Sequence, residues 1–236
     1  MRLFNIDSPL MQALGKMADL LWLNVLTLIC CIPIVTVGAS LTAMNYVALK
    51  IARNEECYIT KDFFKSFRQN LKQATVIWLL LLLLILVLAG DFYIISNSDI
   101  TFGNVIRIAI TVLAVAVLFT AIHVFPMLAK FDNTTPNTIK NAFFMSILQF
   151  PKTLLMIVFY ILPPVVFVFF TQIAPIPVLF CLSVPAWLSA KLYSGFFQKL
   201  EDQILAEAEP TEEEGEDERI FRDELDESLF DGDSNK

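Results

Sequence analysis

Four stretches of the chain carry no charged side chain: Leu20–Leu49, Ala74–Gly90, Ile108–Ala129 and Thr153–Ala190. A helix needs roughly 20 apolar residues to cross about 30 Å of hydrocarbon. The pattern therefore predicts five membrane spans, at about 20–37, 74–95, 105–129, 153–170 and 177–197. The first can continue to Leu49. The last charge-free run is long enough for two spans, with a turn at Gln172–Pro177, where Pro175 and Pro177 favour a break. Pro33 should kink the first span, Pro163 and Pro164 the fourth, and Pro185 the fifth. The Leu20–Leu49 stretch is too short for two crossings, so an odd number of spans is expected. The fold class is an all-α membrane bundle over residues 1–200, followed by an acidic tail, 201–236.

Two segments outside the spans are amphipathic. In Met1–Met17, Ser8 and Pro9 suit a helix start, and Leu10, Met11, Leu14 and Met17 share one face. The charges in this segment and the length of the run behind it argue against a cleaved signal peptide. In Thr60–Gln73, Thr60 can cap a helix and Asp62 stands in its first turn. Lys61, Lys65, Arg68 and Lys72 then fall in a narrow arc, with Phe63, Phe64, Phe67 and Leu71 on an opposite one. Such a helix suits either a lipid surface rich in anionic headgroups or a protein partner. An internal repeat also runs at an offset of 80 residues. Lys50, Ile59, Phe63, Phe64, Ser66, Gln69 and Lys72 match Lys130, Ile139, Phe143, Phe144, Ser146, Gln149 and Lys152.

Composition agrees with a membrane protein: 56% hydrophobic, 17% charged, mean hydropathy +0.64. Basic residues cluster on the cytoplasmic side of membrane proteins. With five spans, an outside N-terminus and a cytoplasmic C-terminus, 14 of the 17 Lys and Arg fall inside; Arg2, Lys16 and Arg107 fall outside. Asp91 and Arg107 flank the same outer loop and could pair. The tail from Glu201 holds 16 of the 24 acidic residues and reads as disordered. Within it Phe221, Leu225 and Leu229 recur at i, i+4, i+8, a stripe that could fold on a partner.

Catalytic signatures are missing. The chain has no phosphate loop, no Gly-x-Ser-x-Gly, no H-E-x-x-H and no dinucleotide fingerprint. No cofactor, metal site, enzyme activity or nucleic-acid partner is expected. His123 is the single histidine and lies inside a predicted span, where a neutral ring hydrogen-bonded between helices is the expected state. Cys30, Cys31, Cys57 and Cys181 show no metal spacing. Cys57 reads as a free cytoplasmic thiol.

The stretch Pro33-Ile-Val-Thr-Val-Gly-Ala-Ser-Leu-Thr-Ala43 resembles the YesL-like family, bacterial membrane proteins grouped under a domain of unknown function. Asp19-Leu-Leu-Trp-Leu-Asn24 before it and Phe63-Phe-Lys-Ser-Phe-Arg-Gln-Asn-Leu-Lys-Gln73 after it fit the same family. The resemblance extends over roughly residues 1–200, and the tail lies outside it. It implies no enzyme activity. It implies a bacterial cell membrane and an accessory or regulatory role beside an ATP-driven (ABC) carbohydrate importer, with a permease or ATPase subunit as partner. A small oligomeric transporter or channel is the alternative. Gly38, Ala39, Ser40 and Thr42 have the small and hydroxylated side chains that permit close helix packing, within the chain or between subunits.

Overall fold

The computed structural model describes residues 9–97, 104–169 and 179–208. Every regular element there is helical: α1 (Pro9–Cys31), α2 (Val37–Arg53), α3 (Ile59–Asn97), α4 (Asn104–Lys130), α5 (Thr135–Leu148), α6 (Phe150–Phe169) and α7 (Ser183–Ala208), with one 3-10 turn at Ile34–Thr36. The chain divides into two compact units, residues 1–194 and 195–236. The described part of the second is the end of α7.

Five described helices are long and apolar enough to cross a membrane: those within Met11–Cys31, Ile34–Arg53, Ile59–Ile95, Val105–Lys130 and Phe150–Phe169. The fold is an all-α membrane helical bundle. The number matches the sequence expectation, but the members differ.

The first predicted span is two helices. α1 absorbs the amphipathic segment before it and stops at Cys31. The chain turns at 32–36 and returns as α2. The pair is antiparallel: Lys16 Nζ donates to Asn54 Oδ1 at 2.6 Å, joining the start of α1 to the end of α2. Leu20, Leu23 and Leu26 pack with Ala43, Met44, Val47, Ala48 and Ile51 to form the core of this hairpin. Counting from Leu20 to Leu49 misses this because the hairpin draws on residues 9–19 and 50–53 as well. Asn54 closes α2 in the left-handed conformation (φ 55°), its N–H bonded back to Lys50 O and Ile51 O. Asparagine is one of the few residues that tolerates this backbone.

α3 is a single helix of 39 residues. It fuses the predicted amphipathic helix 60–73 with the predicted span 74–95. In the second copy of the repeat the corresponding stretch breaks at Gln149, between α5 and α6. α4 and α6 nearly coincide with predicted spans, and α6 stays helical through Pro163 and Pro164. α7 starts at Ser183, so Pro185 sits in its first turn. There a missing N–H costs no hydrogen bond, and the helix runs on past 197.

Candidate functional site: a basic helix face and a lipid-proof turn

Gly38, Ala39, Ser40 and Thr42 are all buried in α2. A side chain at Gly38 would run into the backbone carbonyl of Ala74 and come within 2.7 Å of Trp78 Cβ. The small residues thus bring α2 tightly against α3. The stretch makes a helix-packing contact within the chain. Ser40 and Thr42 return their hydroxyls to Thr36 O and Gly38 O, one turn back, and need no outside partner.

The turn at the hairpin tip exposes Ile32 (77%), Ile34 (66%) and Val35 (52%). Three bare aliphatic side chains are unfavourable in water but not in hydrocarbon. Non-helical backbone is tolerated there only if its polar groups are satisfied within the protein. At this tip four carbonyls have such partners. Trp78 Nε1 donates to Ile34 O at 2.8 Å, and Thr75 Oγ1 to Val35 O at 3.3 Å. Thr36 Oγ1 lies 2.7 Å from Cys30 O and 2.9 Å from Pro33 O, and its single proton serves the two. The tip therefore meets α3 where the charge-free part of that helix begins. The rest of the hairpin lies beside the basic segment 59–73, and Trp22 Nε1 donates to Thr60 Oγ1 at 2.9 Å.

That segment has two faces. Phe63 is fully buried and stacks on half-buried Phe67, with ring centroids 6.2 Å apart and planes 17° apart. Lys61, Lys65, Arg68 and Lys72 are exposed, and none has an ion-pair partner among the described residues. Phe64 departs from the predicted apolar arc. It is exposed on the basic side, in an open hollow lined by Thr60, Lys61, Lys65, Arg68 and Gln69. At about 1.5 Å per residue, the 15 residues from Ile59 to Gln73 extend roughly 22 Å beyond the apolar part of α3. The segment continues the axis of its span, whereas an interfacial helix would lie across it.

Asp62 anchors the start of α3. Its Oδ2 pairs with Lys50 Nζ at 3.0 Å and accepts the Tyr58 N–H at 3.2 Å. The cap therefore comes from Asp62 reaching back, and Thr60 is occupied by Trp22. The Cys57 thiol donates to the same carboxylate; burial, and then Asp62, push its pKa up to about 12. All four cysteines are free.

Deeper in the bundle, His123 of α4 is fully buried, with Nε2 2.9 Å from Thr153 Oγ1 at the start of α6. Thr153 Oγ1 also lies 3.0 Å from Ser146 O and 3.1 Å from Gln149 O. This knot ties α4, α5 and α6 at the break that separates α5 from α6. No group of three or more His, Cys, Asp or Glu able to hold a metal occurs among the described residues. Asp91 and Arg107 do not pair. Phe221, Leu225 and Leu229 lie outside the described residues.

These features define the class: an all-α integral membrane bundle with a basic helix extension. Residues 19–92 match the family described as a protein of unknown function, DUF624. The match covers α2, nearly all of α3, the C-terminal half of α1, the hairpin tip and the basic face. No curated protein matches the chain, and no solved structure does.

Proposed function

We propose that the protein is a non-enzymatic accessory subunit that docks a cytoplasmic partner on the basic face of α3, and that the partner is a permease or ATPase subunit of an ATP-driven carbohydrate importer. The observation that carries the docking surface is the unbroken α3, which extends exposed Phe64 and four cations with no ion-pair partner among the described residues beyond the apolar span. An exposed aromatic among cations suits an acidic protein surface with an apolar centre. The choice of importer rests on the family resemblance alone.

The basic end is assigned to the cytoplasm by the distribution of Lys and Arg. The hairpin returns the N-terminal end of α1 to that same end, and Arg53 Nη2 donating to Ser194 O brings residue 194 there too. An inside N-terminus then leaves Arg107 as the one basic residue outside, against three with the N-terminus outside. This orientation differs from the outside N-terminus, which follows from a single crossing between Leu20 and Leu49. The hairpin enters and leaves on the cytoplasmic side with its tip in the lipid.

Affinity purification of the full chain in mild detergent tests the role. Importer subunits should co-purify with the wild type and be lost when Lys61, Lys65, Arg68 and Lys72 are reversed to Glu. Recovery of the chain alone, together with solute flux in liposomes, would establish a transporter in its own right and sink the accessory reading.

A further inference from the structure

At the end of the bundle opposite the basic face, α3 and α4 enclose an open groove of about 530 Å³. Leu88 and Phe92 of α3 and Ala114, Val117, Leu118 and Ala121 of α4 line it, and its walls are almost wholly apolar. The alanines create the space, since each leaves room that a larger side chain would fill. A second hollow of about 440 Å³ shares Phe92, Ile110 and Thr111 with the first, and adds Arg107. Arg107 is exposed, and no carboxylate lies within ion-pair distance of it among the described residues. Thr111 spends its proton on Arg107 O at 2.8 Å, one turn back.

We propose that this groove is a binding site for one anionic phospholipid, with its phosphate on Arg107 and an acyl chain between α3 and α4. Two observations argue for that occupant over a second protein chain. The first is polarity: among the described lining residues Arg107 is the one cation, and it stands in the more polar hollow that opens into the apolar groove, the charge pattern of a lipid read from headgroup to tail. The second is depth. From Arg107 to Ala121 the groove runs about 21 Å along α4, close to one leaflet of roughly 15 Å plus the headgroup layer. A guanidinium grips phosphate oxygens two at a time, which favours phosphate over a neutral polar group. A choline headgroup would place its own cation beside Arg107, so the site discriminates by headgroup charge.

Native mass spectrometry of the full chain in mild detergent, with added phosphatidylglycerol or phosphatidylcholine, reads the site directly. The wild type should retain one phosphatidylglycerol at least several-fold better than phosphatidylcholine. Arg107→Gln changes an exposed side chain, so the fold should persist while the preference for the anionic lipid disappears. Ala114→Trp fills the channel and should lower retention of both lipids. Equal binding of the two lipids by the wild type, or unchanged preference in Arg107→Gln, would overturn the proposal. So would efficient cross-linking of two copies through Ala114→Cys, which would make the groove a seam between subunits.

Discussion

Gly38 and Cys57 show how much a single position can control in this chain. At Gly38 the neighbours of an added Cβ are a backbone carbonyl and a Cβ, neither of which moves cheaply. Gly38→Ala should cost about 1–3 kcal/mol through overpacking, and Gly38→Leu more. Thermal unfolding in detergent should show both variants melting below the wild type, the leucine lower. At Cys57 the shift is chemical. The thiolate is the reactive form, and with its pKa near 12 little of it exists at neutral pH. Removing the carboxylate charge in Asp62→Asn should lower that pKa and speed alkylation at pH 8 several-fold, in a background where Cys30, Cys31 and Cys181 are serine. An unchanged rate would mean that burial alone sets it. Gly38 was legible in the sequence as a packing residue, because small residues in an apolar run have few other uses. Its partner was not legible, since nothing in residues 33–43 points to Ala74.

At the scale of elements, charge-free runs announce helices well and their ends poorly. α4 and α6 are legible because charge or proline flanks an unbroken apolar run. The hairpin is not, because Leu20–Leu49 has the same composition on both sides of the turn. Pro33 is compatible with a kink as well as a reversal. In the reversal, Trp78 and Thr75, some 40 residues away, donate to two of the turn's carbonyls. Trp78→Phe should therefore destabilise by about 1–3 kcal/mol by leaving Ile34 O unpaired, a loss measurable by unfolding in detergent. The continuity of α3 was equally hidden. Its pattern changes at Ala74 from amphipathic to uniformly apolar, and a change of pattern without a breaker residue reads as two elements. Phe64 was misassigned for a related reason, since it lies at the border of the two arcs and the fold needs only Phe63 and Phe67 inside. Reversal of the four cations should leave helix content and melting unchanged, because these side chains make no ion pair with the rest of the described chain. Circular dichroism of the quadruple variant checks that.

For the whole molecule, the hairpin makes the side of the N-terminus a sharp question. In intact cells a membrane-impermeant thiol reagent should reach a cysteine placed at Asp99. It should miss one placed at Arg2 and miss native Cys57. Each probe is read separately in a background without the other cysteines. Labelling at Arg2 alone would mean that α1 crosses the bilayer after all. Labelling at Cys57 would invert the entire arrangement.

The unbroken α3 also makes a lever. Transmembrane helices stand tilted from the bilayer normal by about 20° on average and adjust that tilt to bilayer thickness. A rigid arm of roughly 22 Å that swings through such an angle displaces its tip sideways by about 7–8 Å, a distance comparable to the width of a helix. In the repeat-related half the helix breaks at Gln149, so α5 does not continue its span as the arm continues α3. The separation between spin labels at Lys61 and Lys140 should therefore change when the protein is moved from short-chain to long-chain lipids. A constant separation would show that the bundle tilts as one body and that the arm reports nothing.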